Sequence, residues 1–331
     1  MTIPVLICDD SALARKQMAR TLPKDWDVEV TFATNGAEGV EAIRAGKGEI
    51  VFLDLNMPVM DGYEVLQIVQ QQDLPALIIV VSGDIQIKAH ERVKALGALD
   101  FIQKPVSADA ISNILQEYGI LTLTQGAEAD IQPMVKVDLR DACQEIANVA
   151  MGRAADLLSK LLDVFVVLPI PNVNVLEVSE LTMALKATEE SSSISALCQG
   201  FIGAGVAGEA LLLFHDSSFE DMAKLMKINT EEETHTEVEV LMDTGNVLIG
   251  AFLSGISEQL DMKFSQSHPI VLGRHCTVND LIHASSEKWQ RTLAMEINYR
   301  IEDYNIQCDL LLLFTEDSIP TLNFKLGYLL D

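Results

Sequence analysis

The sequence has few basic residues, and this lack argues against the commonest polyanionic partners. Its 331 residues include 23 Lys and Arg but 49 Asp and Glu, which gives a formal net charge of −26 at pH 7. So large an excess of negative charge repels nucleic-acid backbones and anionic lipid unless a local basic patch exists. The basic residues are scattered singly along the chain, so we expect no nucleic-acid partner.

Long hydrophobic runs and regularly spaced cysteines are lacking as well. The longest apolar runs, such as residues 76–81 and 164–168, fall far short of the roughly 20 residues of a membrane-spanning helix. The first ten residues reach two aspartates, which is not the pattern of a secretory signal. The five cysteines show neither CxxC nor CxxxH spacing, which is typical of reduced thiols in a cytosol. We therefore expect a cytoplasmic protein without a membrane span.

What is present first is an alternation of short apolar runs with helical patterns. The apolar runs are residues 4–8, 28–33, 50–53, 77–81 and 99–102. The helical patterns are residues 11–22, 36–45, 61–71, 85–96 and 107–117. Strands that alternate with helices in this way predict an α/β domain, with a five-stranded parallel sheet covered on both faces.

Polar residues follow the predicted strands at the point where each strand ends. They are Asp9 and Asp10 after the first run, Asp54 after the third, Ser82 after the fourth, and Lys104 with Pro105 after the fifth. The carboxyl ends of parallel strands meet at one edge of the sheet, where ligands bind. Three converging carboxylates repel one another unless a cation neutralises them, and Mg²⁺ prefers such ligands.

The remaining polar groups suit a phosphorylated carboxylate at the same edge. Lys104 adds a compact positive charge and the Ser82 hydroxyl can donate to a further oxygen. One of the carboxylates is then available as a nucleophile toward a phosphoryl group. Taken singly, these features have ordinary explanations, because an Asp after a strand is usually a helix cap and a Lys-Pro pair is usually a turn.

Taken together, residues 1–119 resemble a two-component response-regulator receiver domain, which is flavodoxin-like. Asp54 begins the segment DLNMPVMDG, which is characteristic of that family. The resemblance implies that a histidine kinase or a small phosphodonor phosphorylates Asp54 in the presence of Mg²⁺. It implies metal ligands at Asp9, Asp10, Asp54 and the backbone carbonyl of Asn56, and switch residues at Ser82, Phe101 and Lys104.

Residues 120–137 lose clear periodicity and contain Gly126 and Pro133, so we interpret them as a linker of modest flexibility. The helical pattern that follows carries Asp141, Glu145 and Asn148 at positions i, i+4 and i+7. This spacing places the three side chains within roughly 60° of one another around a helix. We call these three residues the first row, and we expect it on a face that need not be buried.

The spacing of the first row recurs later in the chain. Glu239, Asp243 and Asn246, which we call the second row, stand 98 residues after the members of the first row. Pro171 and Pro269 show the same offset. A repeat of this length is too long for a solenoid unit. We therefore expect residues 138–331 to form an α+β domain of two half-repeats, each with one leading helix and several antiparallel strands about a pseudo-twofold axis.

Residues 138–331 resemble the CheC/CheX-type chemotaxis phosphatases, whose signature is [Asp/Ser]-x3-Glu-x2-Asn-x22-Pro. Asp141, Glu145, Asn148 and Pro171 match it at every position. The resemblance implies hydrolysis of the aspartyl phosphate of a CheY-type response regulator, in which the Asn enters the receiver site and orients the water while the Glu pairs with the receiver's lysine. It also leaves open a non-catalytic adaptor, because flagellar-switch relatives share the architecture without the activity.

Chemistry supports this assignment of Glu145 and Asn148. A carboxamide both donates and accepts, so it can hold a water in line with phosphorus without adding charge beside the phosphate. In the second row, Asp243 is one methylene shorter than the Glu of the signature, so we expect Asp243 and Asn246 to form a weak site. The sequence leaves open the substrate regulator, homodimer formation, the sign of the effect of Asp54 phosphorylation, and whether the chain's own receiver is a regulator or a substrate.

Overall fold

The computed structural model describes residues 2–121, 137–177, 193–228, 233–276 and 291–330. These residues form two compact units, residues 1–145 and residues 146–331. Most of the predicted linker, residues 122–136, lies outside the described residues. The predicted boundaries at 119/120 and 137/138 therefore stay predictions.

The first unit contains the predicted parallel sheet. Its strands are β1 (Ile3–Cys8), β2 (Val28–Ala33), β3 (Ile50–Leu53), β4 (Leu77–Ser82) and β5 (Asp100–Gln103). They pair in the order β2-β1-β3-β4-β5, and every pairing is parallel. The intervening helices are α1 (Ala12–Thr21), α2 (Gly36–Arg44), α3 (Gly62–Gln71), α4 (Ile87–Ala95) and α5 (Ala108–Glu117). The fold predicted for this region is confirmed.

Local sequence explains where these helices begin. The side chains of Ser11, Asn35 and Ser107 each accept a hydrogen bond from a backbone N–H in the first turn of the helix that follows. Asp61 and Glu64 form a capping box at the start of α3. Such caps stabilise a helix by about 1 kcal/mol each. Ser11 thus starts α1 directly after the acidic pair at the end of β1.

Helix α6 (Leu139–Leu162) begins in the first unit and continues into the second. Its first two turns carry Asp141 and Glu145, and the division at residue 145 separates Glu145 from Asn148. The predicted first row therefore lies on one continuous helix, as its spacing requires.

The second unit is an α+β structure with an antiparallel sheet. Its strands are β6 (Val166–Val167), β7 (Asn172–Glu177), β8 (Ile194–Gly203), β9 (Val206–His215), β10 (Ser265–Gln266), β11 (Ile270–Cys276), β12 (Arg291–Ile301) and β13 (Ile306–Thr315). Besides the rest of α6, the described residues of this unit form the helices α7 (Phe219–Met226), α8 (Glu233–Gln259) and α9 (Ile319–Leu330). The sheet runs β10-β8-β9-β13-β12-β6, with β11 on β8 and β7 on β12.

The order of elements in the second unit repeats, as the internal repeat in the sequence predicts. A long helix, two short strands, a hairpin, a 3-10 turn and a terminal helix occur first from α6 to α7 and again from α8 to α9. Strands β9 and β13 pair at the centre, with Leu211 opposite Leu311 and Ala210 opposite Leu312. Leu211 and Leu311 occupy equivalent positions in the two predicted half-repeats, so the register is that of a pseudo-twofold axis between them.

A cluster of polar side chains joins α8 to the strands of the second unit. The His275 ring places Nδ1 2.8 Å from Asp216 and Nε2 3.1 Å from Glu237. Ser195 donates a hydrogen bond to the other oxygen of Asp216. The hydrogen bond with Asp216 raises the pKa of His275 despite some burial, and Glu237 adds to the rise. In the sequence, the residues of this cluster are scattered polar positions that no motif connects. They meet only because strand pairing brings distant segments together.

One described segment, Glu237–Gln259 of α8, is long and apolar enough to cross a membrane by length and composition alone, with a mean hydropathy of 1.4. Of that window, 61% is buried inside the structure, as in the core helix of a soluble protein. It is therefore weak evidence for a span, and the expected absence of one stays a prediction.

Two glycines of α8 provide a matched test of the packing of α6 on α8. A Cβ atom at Gly255 would lie 2.7 Å from Cα of Ala150, whereas a Cβ atom at Gly250 would meet nothing within 4 Å. We expect Gly255→Ala to destabilise the protein by about 1–3 kcal/mol because it forces the two helices apart. Gly250→Ala should stabilise it by up to about 1 kcal/mol. Urea unfolding followed by circular dichroism measures both, and equal midpoints would contradict the close approach.

The His275 cluster predicts a pH dependence of stability. Because the folded-state pKa of His275 is raised, its contribution is complete below the unfolded pKa of about 6.5 and disappears as the pH rises through the folded value. Half of this side chain is exposed (51%), so the effect should stay below about 1 kcal/mol. We expect the thermal midpoint of wild type to fall more than that of His275→Gln between pH 6 and pH 9. If the thermal midpoints of the two proteins fall equally with pH, the His275 ring does not hold the positive charge that a raised pKa predicts.

Candidate functional site

The acidic residues at the ends of β1 and β3 converge as the sequence predicts. Carboxylate oxygens of Asp9, Asp10 and Asp54 all lie within 4.8 Å of one another. Asp54 and Asp9 are buried, and Asp10 is half-buried. The topology explains this arrangement, because β1 and β3 are neighbours in the parallel sheet and end at the same edge.

Asp54 is the innermost member of the acidic group. Its side chain is 1% exposed, and neither carboxylate oxygen has a hydrogen-bond partner among the described residues. Burial raises the pKa of Asp54, and the Lys104 ammonium opposes that rise. Buried oxygens left without donors are costly unless a cation or another group satisfies them. The acidic group therefore has the donor set and the unsatisfied oxygens that a hard divalent cation requires.

The loop after β1 is held firmly by its own side chains. One Asp9 oxygen accepts a hydrogen bond from the backbone N–H of Ser11 at 2.8 Å, and the other lies 2.8 Å from Lys104 Nζ. The Arg15 guanidinium donates to the carbonyl oxygens of Asp9 and Asp10. Burial, with Asp9 adding to it, raises the pKa of Asp10 to about 7. A bound cation would restore the ionised form of Asp10 near neutral pH.

The other residues predicted for the receiver site lie at the same edge or in the core beside it. Ser82 is buried at the end of β4, and its Oγ accepts from the backbone N–H of Asp84 at 3.2 Å. Phe101 is 9% exposed and stacks against His90 with ring centroids 3.8 Å apart. The ring of Phe101, which the resemblance implies as a switch residue, is thus buried in this structure.

Lys104 lies at the centre of the site and contacts carboxylates on three sides. Its Nζ is 2.8 Å from Asp9, 3.2 Å from Glu145 and 3.6 Å from Asp54. Burial alone would lower the pKa of Lys104, but Asp54, Asp9 and Glu145 raise it well above its ordinary value. These carboxylates therefore favour the charged ammonium form of Lys104. A single such charge does not balance all the surrounding carboxylates, which again favours a divalent cation in the acidic group.

Glu145 of α6 thus reaches the lysine of the receiver site within the first unit. Burial raises the pKa of Glu145, and Lys104 opposes that rise through its charge and a hydrogen bond. The pairing joins residues 41 positions apart. This is the contact that the signature resemblance assigns to a phosphatase Glu and a receiver lysine, here formed with Lys104 of the same chain.

Asp141 makes a second contact one turn earlier on α6. Its two oxygens accept hydrogen bonds from the backbone N–H groups of Ala12 and Leu13, each at 2.8 Å. These N–H groups open α1 and have no partner inside that helix, so a carboxylate there is stabilised by both hydrogen bonds and the helix dipole. The sequence showed Asp141 as a member of the row but not this partner, because 129 positions separate the two segments.

The two rows differ in exposure. Glu145 and Asn148 are each 6% exposed, so the first row is not the open face that the sequence suggested. For Glu145 the reason is its engagement with Lys104. The second row is the open one, since Glu239, Asp243 and Asn246 are all exposed on α8. The predicted roles of both rows stay predictions.

Known proteins support the receiver part of the chain. The family model described as "Response regulator receiver domain" matches residues 5–116. A protein-glutamate methylesterase/protein-glutamine glutaminase from Geobacter sulfurreducens is 35% identical over 157 residues, which cover 46% of this chain and 40% of that protein. The response regulator domain of CheB from Thermotoga maritima is 28% identical and covers 37% of this chain and 100% of its own, with a TM-score of 0.32. The family model confirms the predicted receiver domain over residues 5–116, whereas a TM-score of 0.32 is too low to carry an argument.

A match that covers more of the chain is weaker. FliY from Thermotoga maritima covers 60% of this chain and 99% of its own at 18% identity, and its TM-score of 0.42 is too low to carry an argument. The chain spans about 40% of the length of the esterase from Geobacter sulfurreducens, so esterase activity belongs to that protein. Neither match supports a phosphatase of the CheC type, and that assignment depends on the residues of the first row.

Proposed function

We propose that this protein is a chemotaxis-type response regulator that also hydrolyses the aspartyl phosphate of a receiver domain. The observation that carries the proposal is the Glu145 carboxylate 3.2 Å from Nζ of Lys104, the lysine of a receiver site. A solvated helix face has no reason to bury a carboxylate in that position, because burying a charge is costly unless it is paired. The signature spacing and this contact thus point to the same role.

In this mechanism Glu145 has a binding role and Asn148 orients the water. Glu145 binds the receiver lysine and so fixes α6 against the phosphorylation site. Asn148 follows three residues later on the same helix, on the same side as Glu145. Its carboxamide can hold a water in line with phosphorus, which is most of what this hydrolysis needs from a helper. An uncharged amide does so without repelling the phosphate.

The receiver supplies the other half of the site. Asp54 is the proposed phosphoacceptor, with a histidine kinase or a small phosphodonor as the source of phosphate. Asp9, Asp10, Asp54 and the backbone carbonyl of Asn56 would hold Mg²⁺, whose charge offsets that of the phosphoryl oxygens. Lys104 and the Ser82 hydroxyl would contact those oxygens. Phosphorylation would then alter the surface at β4 and β5 through Phe101.

A separate phosphorylated chemotaxis response regulator is the proposed partner. Glu145 pairs with Lys104 in this structure, and one carboxylate cannot at the same time hold the lysine of a second receiver. The first row must therefore leave its own receiver before it acts on another one. This requirement gives phosphorylation of Asp54 a direct means of regulating the activity.

The alternative function is a non-catalytic adaptor whose second unit only binds a partner. The exposed second row favours a binding role for that surface, since Glu239, Asp243 and Asn246 are open on α8. In the adaptor, the partner remains bound when Asn148 is replaced and no phosphate is released. The esterase activity of the relative from Geobacter sulfurreducens is not proposed for this chain.

Phosphate release from a separate phosphorylated receiver tests the function and ranks the two rows. In an Asp54→Ala background, only the added receiver supplies phosphate. We expect Asn148→Ala to remove most of the release, about tenfold or more, because the water loses its orienting group. Asn246→Ala should remove little, since Asp243 is too short to reach the partner lysine. Equal losses from the two changes would overturn this ranking, and release no faster than that of the added receiver alone, before any change at Asn148, would favour the adaptor.

A further inference from the structure

We propose that the first substrate of the first row is the phosphate on Asp54 of the same molecule. This inference rests on the proposed phosphatase function and names the receiver on which it acts. It makes the chain a response regulator that limits the lifetime of its own phosphorylated state. Three features support it: the contacts of Lys104, the contacts of Asp141 and the attachment of the first row to the receiver through the chain.

The contacts of Lys104 allow Glu145 and a phosphorylated Asp54 to be bound together. Lys104 Nζ stays 3.6 Å from Asp54 while it contacts Glu145 at 3.2 Å and Asp9 at 2.8 Å. An ammonium has three donors, so it can serve both carboxylates and a phosphoryl oxygen. Glu145 therefore does not withdraw the lysine from the phosphorylation site. Its pairing is compatible with the substrate and is not a block against it.

Asp141 anchors the start of α6 within the first unit. Its hydrogen bonds to the N–H groups of Ala12 and Leu13 anchor the first turn of α6 on the first turn of α1. Glu145 anchors the next turn on Lys104. Two contacts one turn apart hold the start of the helix more firmly than a single contact would. Asn148 follows Glu145 three residues later on the same helix.

The reaction in this arrangement is a simple hydrolysis. A water oxygen forms a bond to phosphorus as the bond between phosphorus and the Asp54 carboxylate oxygen breaks. The bonding electron pair stays with Asp54, which becomes a free carboxylate again, and both protons of the water leave with the inorganic phosphate as H₂PO₄⁻. No oxidant, reductant or further co-reactant is needed.

Attachment through the chain favours the molecule's own receiver over a separate one. Two sites joined by a short connection meet at an effective concentration of about 1 mM. A separate receiver at about 10 μM is then outnumbered about 100-fold at the first row. The phosphate on Asp54 should be hydrolysed first, and other receivers should be reached only when α6 leaves Lys104.

The test is the decay of phosphate on the full chain after phosphorylation by acetyl phosphate and removal of the donor. We expect a first-order decay in wild type whose rate constant does not change over about 100-fold dilution, because an intramolecular step has no dependence on concentration. Asn148→Ala and Glu145→Gln should each slow the decay about tenfold or more. Arg140→Ala, an exposed position on the same helix, is the matched control and should decay as wild type does.

The outcomes separate this inference from the proposed function. A wild-type decay that slows in proportion to dilution, while Asn148→Ala remains slower still at every concentration, keeps the phosphatase and removes the intramolecular route. A decay equal in wild type, Asn148→Ala and Glu145→Gln at all concentrations removes the phosphatase itself. If Arg140→Ala alone slows the decay of phosphate, the rate depends on the surface of α6 in general and not on Asn148 and Glu145. That outcome also contradicts the inference.

Mixing two variants gives an independent readout. Phosphorylated Asn148→Ala retains the phosphoacceptor but lacks the amide, whereas Asp54→Ala retains the amide but lacks the phosphoacceptor. We expect an equimolar mixture at about 10 μM to stay well below the wild-type rate, because the intact row meets the phosphate only by diffusion. Full recovery of the wild-type rate at that concentration would overturn the intramolecular assignment and support action on a separate receiver.

Discussion

The buried ammonium of Lys104 is the interaction on which the site depends. Lys104 is 3% exposed, and a charge so deeply placed is tolerated only with good partners. Asp9 and Asp54 are those partners from the sheet, and Glu145 is the partner from α6. Because the lysine needs all of them, the same charge that would hold a phosphoryl group also draws α6 to the phosphorylation site. The stability of the first unit and the role proposed for Glu145 thus depend on the same buried charge.

The two rows have identical spacing but different surroundings. Both lie on long helices that lead a half-repeat, and both keep their polar residues at i, i+4 and i+7. Glu145 is buried against a lysine, whereas Asp243 and its neighbours in the second row are exposed. One row therefore has a residue paired with a buried lysine, while the other row is presented to solvent. That difference lies in what surrounds the helices and not in the helices themselves.

Much of the fold was predictable because its signals are local. Apolar runs of β-strand length that alternate with capped helices predict a parallel sheet, and the strand ends then place Asp9, Asp54 and Lys104 at one edge. The constant offset between the rows likewise predicted the repeated order of the second unit. The accessibility of the first row was predicted less well, because burial depends on which partner a helix face meets. Glu145 is hidden by a lysine 41 positions away, and no periodicity in its own helix reports that distance.

The sequence by itself determined the elements, their order and the chemistry available at the edge of the first sheet. It also determined that α6 carries a carboxylate, a second carboxylate and an amide in one line, since helical spacing follows directly from the order of residues. Only the tertiary structure decided that Asp141 would accept from the first N–H groups of α1 and that Glu145 would reach Lys104. Such pairings satisfy unpaired donors and a buried charge that originate in distant segments, and distant segments meet only when the chain is folded.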